Sequence, residues 1–113
     1  MINITNKMVE KAIKEAKKHN LPKHLFASTI VFDHANDYMI VKLRNSKVLT
    51  FSLNDFPSLK KATPEQRENW ELSGGGMGVH WEDIDEDLSV QGFIRFYIKK
   101  TKSFIAENEA AVV

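Results

Sequence analysis

Hydrophobic and polar positions change period twice along the chain, and each change predicts a different element. Near the N-terminus Val9, Ala12, Ile13 and Ala16 recur at helical spacing, while Lys7, Lys11, Lys14, Lys17 and Lys18 fill most of the remaining circumference. This is the pattern of an amphipathic helix. It should stop near His19 and Asn20, because asparagine tolerates a left-handed cap and Pro22 disfavours helix at Leu21. From Phe26 to Leu53 the period shortens. Thr29–Phe32, Tyr38–Val41 and Val48–Phe51 are β-rich runs separated by the turn-forming pairs Asn36-Asp37 and Asn45-Ser46. Leu49, Phe51 and Leu53 alternate with Thr50, Ser52 and Asn54, so one sheet face is wet and the other is covered by helices.

Asn54-Asp55-Phe56-Pro57 ends this meander, and Ser58 to Ala62 is expected to form a helical turn. Thr63-Pro64-Glu65-Gln66 then supplies a capping hydroxyl, a proline at the first helical position and a glutamine three residues after the cap, which together make a capping box. The helix it opens is expected to stay short, broken by the Ser73-Gly74-Gly75-Gly76 run, after which Gly78–Trp81 returns as a strand. Asp87 or Ser89 caps a last helix whose apolar stripe is Val90, Phe93, Ile94, Tyr97, Ile98 and Ile105, with Phe96 off the stripe and the tail Glu107–Val113 fraying. The predicted class is α+β: a three-stranded antiparallel β-meander plus a fourth strand, packed against N-terminal, short central and C-terminal helices.

A length of 113 residues fits one domain. It divides into a basic N-terminal helix (1–24), a core (26–95) and a C-terminal helical extension (96–113). The chain has no cysteine, which removes disulfide scaffolds, thiolate zinc sites and cysteine nucleophiles together. Lysines interrupt the N-terminus where a signal peptide needs an apolar stretch, and no run approaches the ~20 apolar residues of a membrane span. A cytoplasmic location and no membrane contact are therefore expected. The net charge of +1 hides a polarity along the chain. Residues 1–24 carry six lysines against Glu10 and Glu15, whereas residues 64–88 carry eight acids against the single cation Arg67.

The chemistry-bearing motifs are mostly answered by structure. The glycine run lacks the spacing of a dinucleotide fingerprint and the Gly-Lys pair of a phosphate loop, so it reads as a loop needing positive φ. Asp83-Ile84-Asp85-Glu86-Asp87 opens like a calcium loop but has Leu88 where glycine is wanted and Ile94 where a bidentate glutamate is wanted. His19, His24, His34 and His80 have no zinc spacing. His80, beside Trp81 and the acids, is the best candidate general base, against the plainer reading of a strand histidine bonded to a carboxylate. No cofactor, metal or catalytic residue is expected. Lysines around the first helix could track nucleic-acid phosphates, but aromatics and base-reading side chains do not interleave with them, so a solvated face is the default.

Phe56-Pro57-x-Leu59, Ala62-Thr63, Arg67-x-Asn69, Gly76-x-Gly78-x-His80-Trp81 and Asp85-Glu86-Asp87-Leu88-Ser89-Val90 occur in one order, and over residues 26–95 the chain closely resembles the bacterial domain of unknown function 2442. The position after the tryptophan is commonly proline in that family and is Glu82 here. The resemblance implies an α+β fold without established catalytic residues. It also implies a small protein that stands alone or precedes a helix-turn-helix domain, with some relatives described as antitoxins. No helix-turn-helix follows the last helix here, which points away from a repressor and toward neutralisation by direct protein contact.

The expected function is a non-enzymatic, antitoxin-like binding module. Glu82, Asp83, Asp85, Glu86 and Asp87 would occlude a basic partner surface, with Trp81 and Trp70 as aromatic anchors and His80 and Phe96 as further contacts. The alternative partner is a nucleoprotein or nuclease, inhibited by an acidic patch that imitates nucleic-acid phosphates, as an anti-CRISPR protein would do. A weaker alternative is a hydrolase centred on His80 and Asp83. A homodimer seam through Phe96 and the terminal helices is also open.

Overall fold

Alternation builds the first sheet as expected. The structure is a computed structural model that describes residues 21–111, with side chains as far as Ser103. In it β1 (Ala27–Asp33), β2 (Tyr38–Leu43) and β3 (Val48–Ser52) form an antiparallel meander in that order. Ile30, Phe32, Met39, Val41, Leu49 and Phe51 turn into the core, while Val31, Tyr38 and Val48 lie exposed on the opposite face. Asp37 and Ser46 adopt φ of 57° and 70°, so both predicted turn pairs supply the left-handed residue that the tight reversal needs.

The middle of the chain differs from the expectation. α1 (Pro57–Lys61) forms where a helical turn was predicted, and α2 (Pro64–Glu68) opens with the full capping box: Gln66 N–H donates to Thr63 Oγ1 at 3.2 Å, and Thr63 N–H donates to Gln66 Oε1 at 3.0 Å. However, α2 ends at Glu68 instead of running toward the glycines. Trp70–Ser73 forms β4, which pairs with β5 (Gly78–Trp81), which in turn pairs with β6 (Glu86–Ser89). The single fourth strand of the sequence reading is thus the centre of a second three-stranded antiparallel sheet. Hydrogen bonds tie the first sheet to the segment that follows: Ala27 N–H donates to Gly76 C=O at 2.8 Å near the start of β1, Arg44 Nη2 beyond β2 donates to Gly75 C=O at 2.6 Å, and His34 Nε2 just past β1 lies 3.1 Å from Glu68 Oε1 of α2.

The glycine loop answers to backbone geometry. Gly74, Gly75 and Gly76 all have positive φ, and a Cβ on Gly76 would lie 2.6 Å from Ala27 C=O. No residue but glycine fits that close approach.

α3 (Val90–Ala111) covers the core. Ser89 caps it by accepting Gly92 N–H at 2.9 Å; Asp87, the other predicted cap, belongs to β6. Val90, Phe93, Ile94 and Ile98 are buried, as the stripe predicts, and α3 packs on β3, β5 and β6. The helix continues to Ala111, past Glu107 where fraying was expected. The predicted basic N-terminal helix lies outside the described residues, apart from its last positions. There Pro22 and Lys23–Leu25 form a 3-10 turn of their own.

Candidate functional site

Strand parity decides which of the predicted site residues reach solvent. In β5, Val79 and Trp81 turn inward and Gly78 and His80 turn outward. Trp81 is 0% exposed, and its indole Nε1–H donates to Arg67 C=O at 2.9 Å. This corrects the expectation that Trp81 anchors a partner: a ring sealed in the core, with its one polar atom satisfied, offers nothing to a surface. Trp70, opposite Trp81 on β4, is only half-buried. It lines a depression of about 300 Å³ together with Asn69, Glu71 and Glu82.

On the outer face His80 stands between Glu71 of β4 and Asp87 of β6 in the strand register. Its Nδ1 lies 2.8 Å from Asp87 Oδ1 and its Nε2 lies 2.7 Å from Glu82 Oε2. The hydrogen bond to Glu82, then that to Asp87, raises the His80 pKa from 6.5 to about 9. At neutral pH the ring is therefore an imidazolium whose two N–H groups donate to carboxylates. Such a ring has no lone pair with which to act as a base. Asp83, its partner in the hydrolase reading, is engaged elsewhere, accepting from the Asn69 side-chain amide at 2.9 Å.

The five acids of the strip do not form one patch. Glu82 and Asp83 lie on the 3-10 turn Glu82–Ile84, and Asp85 closes it at φ 48°. Asp87 projects outward beside His80, whereas Glu86 sits on the opposite side of β6, half-buried. There it lines a smaller cavity of about 230 Å³ with Asp55, Phe56, Pro57, Ser58, Leu59 and Leu88. Phe96 is half-buried in an aromatic cluster, 6.1 Å from Phe51 and 5.9 Å from Phe56, with Lys100 Nζ 5.2 Å over its ring. Its free surface is correspondingly small.

Residues outside the predicted set brace and border the site. Arg67, 6% exposed, donates from Nε to Leu59 C=O at 2.7 Å and from Nη2 to Lys60 C=O at 2.9 Å, supplying partners for the C-terminal carbonyls of α1. Its own carbonyl receives Trp81, so one residue braces α1, α2 and β5 together. Lys60 in turn bonds Asp37, holding that carboxyl below its usual range. Glu71 completes the outer row. The alternation of Trp70-Glu71-Leu72-Ser73 was the available signal for it.

Among the described residues, no group of three His, Asp or Glu side chains converges as a metal site, and no helix is long and apolar enough to cross a membrane. A family profile described as "Protein of unknown function (DUF2442)" matches residues 27–99. A protein of unknown function from Rhodospirillum rubrum, solved by crystallography, is similar at 32% identity over 66% of this chain and 87% of its own, with a TM-score of 0.56. An uncharacterised protein from Chromobacterium violaceum, solved by NMR, shares the fold at 23% identity over 84% of this chain and 87% of its own, with a TM-score of 0.55. No curated protein matches the chain.

Proposed function

We propose that this chain, which belongs to the DUF2442 family, is a non-enzymatic protein-binding module of antitoxin type that covers a basic surface on its partner. The observation that carries this reading is the depression lined by half-buried Trp70 together with Asn69, Glu71 and Glu82, continuous in sequence with the exposed Asp83, Asp85 and Asp87. An aromatic edge inside a carboxylate rim suits a lysine or arginine from a partner, whose stem packs on the indole while its head meets the acids. His80 contributes by pinning Glu82 and Asp87, which lowers the entropy lost when a cation docks on them. The state of that histidine also favours binding over catalysis, since its protons are already committed.

Co-purification of the full chain with the protein encoded beside its gene tests the proposal, read against a Trp70→Ala, Glu71→Gln, Glu82→Gln variant. Loss of the partner in the variant supports the surface, and equal recovery overturns it. Adding short duplex DNA or RNA to the complex separates the partner classes. A nucleoprotein blocked by phosphate imitation is released by competing nucleic acid, whereas a toxin held by protein contacts alone is not.

A further inference from the structure

The cavity lined by α1 and β6 lies at the last strand of the second sheet. Among the described residues β6 has a strand neighbour on one side only, β5. Val90 N–H donates to Met77 C=O at 2.9 Å, in the same register as the pairs Val79↔Leu88 and Trp81↔Glu86. In an antiparallel ladder bonded pairs alternate, so Glu86 and Leu88 turn their backbone groups to β5 and Asp87 turns its N–H and C=O to the open side. The 230 Å³ cavity is lined by Glu86 and Leu88 of this strand, with half-buried Phe56 and Leu88 as its accessible apolar walls above fully buried Leu59, and carboxylates at Asp55 and Glu86. Asp55 is bonded to Lys100. Glu86 is half-buried beside Leu88, and its side chain makes no hydrogen bond or ion pair among the described residues.

The geometry points to a peptide-docking groove. An extended basic segment of a partner protein adds to the β6 edge through the Asp87 backbone, places one aliphatic side chain against Phe56 and Leu88, and sets a flanking lysine or arginine on Glu86. Each part of the occupant follows from one part of the site. The open N–H and C=O call for an extended backbone, the size of the cavity limits the filling group to about one aliphatic side chain, and the rim selects a cation. A helix presented to the same place would leave the edge groups unpaired. A second copy of β6 would set Glu86 and Asp87 against like charges. The inference rests on the binding role proposed above and adds to it a second contact, on the side of β6 away from His80.

The test is an amide NMR titration of the full chain with the capped hexapeptide Lys-Lys-Leu-Val-Lys-Lys. Controls are the same peptide with glutamates for lysines and one N-methylated at the central residues. Saturable shifts at Ser58, Leu59, Asp87 and Leu88 with the basic peptide, at least fivefold weaker binding of the N-methylated form, and no binding of the acidic form are expected. Ser58→Trp, which fills the groove from an exposed position, should abolish the shifts, and Glu86→Gln should weaken them about tenfold, as expected for loss of a charge-assisted bond. Shifts confined to the His80 face, or equal binding of the N-methylated peptide, overturn the groove while leaving the Trp70 depression standing. If the Trp70 variant keeps its macromolecular partner while the peptide still fills the groove, the failure belongs to the depression and the groove survives.

Discussion

Replacing Arg67 by methionine should destabilise the chain by about 2–3 kcal/mol, because methionine keeps the apolar stem and removes every donor. Arg67 makes two side-chain bonds, to Leu59 C=O at 2.7 Å and to Lys60 C=O at 2.9 Å. A bond from a charged donor contributes about 1.5–3 kcal/mol. The Lys60 carbonyl ends an exposed residue and can turn to water, so only the Leu59 bond counts in full. The contact with Asp37 Oδ1, at 3.9 Å, adds little because Asp37 keeps Lys60. Urea unfolding followed by tryptophan fluorescence measures the loss, since Trp81 is buried against Arg67 and reports the same region. The midpoint should fall at unchanged slope, and the melting temperature should drop by about 10 °C. Arg67→Lys should recover less than half of the loss, because an ammonium cannot span both carbonyls as the guanidinium fork does. A loss below about 1 kcal/mol, or full rescue by lysine, would refute the brace.

Other outcomes follow from the same geometry. The His80 pKa should lie near 9 by NMR. Because the folded value is raised, its stabilisation is fully present below 6.5 and is lost as pH rises toward 9; His80→Gln should remove that slope, and a midpoint near 6.5 would contradict the carboxylate bonds. Gly76→Ala should cost at least about 3 kcal/mol, since the added carbon meets Ala27 C=O at 2.6 Å, whereas Gly75→Ala, facing open space at φ 70°, should cost only about 1–2 kcal/mol of left-handed strain. Equal losses in thermal melts would refute that distinction. Trp81→Phe should cost about 2–4 kcal/mol in chemical denaturation through the void and the unpaired Arg67 carbonyl, and a neutral result would return Trp81 to the surface.

The first sheet, α1, the capping box and the glycine loop were all legible, because each depends on local signals: alternation, a turn pair, a cap, a positive φ. β4 and β6 were not. Trp70-Glu71-Leu72-Ser73 is four residues long and follows directly on a helix signal, and Glu86-Asp87-Leu88-Ser89 has no β-branched residue at all. Both are strands because β5 pairs with each of them, a tertiary decision that intrinsic propensity does not carry. Trp81 was misplaced for a related reason. Its acidic neighbours suggested a surface, but the alternation Gly78 out, Val79 in, His80 out, Trp81 in follows the pleat, and the charge begins only after the strand ends. Glu86 shows the same rule in reverse, since one step of parity separates it from Asp87 and moves it to another face. Arg67 was visible as the lone cation in an acidic stretch, yet its role depends on carbonyls that only the packing of α1 against α2 brings near.

The central claim is that the carboxylates around β5 and β6 bind a basic partner. Calorimetric titration of the full chain with the protein encoded beside its gene tests it most directly. The wild type is compared with a variant carrying Glu71→Gln, Glu82→Gln, Asp83→Asn, Asp85→Asn and Asp87→Asn, all exposed positions. The account predicts affinity lower by about a hundredfold, with the salt dependence of the wild type largely lost. An unchanged Kd with unchanged salt dependence, in a variant that remains folded at the titration temperature, would contradict it.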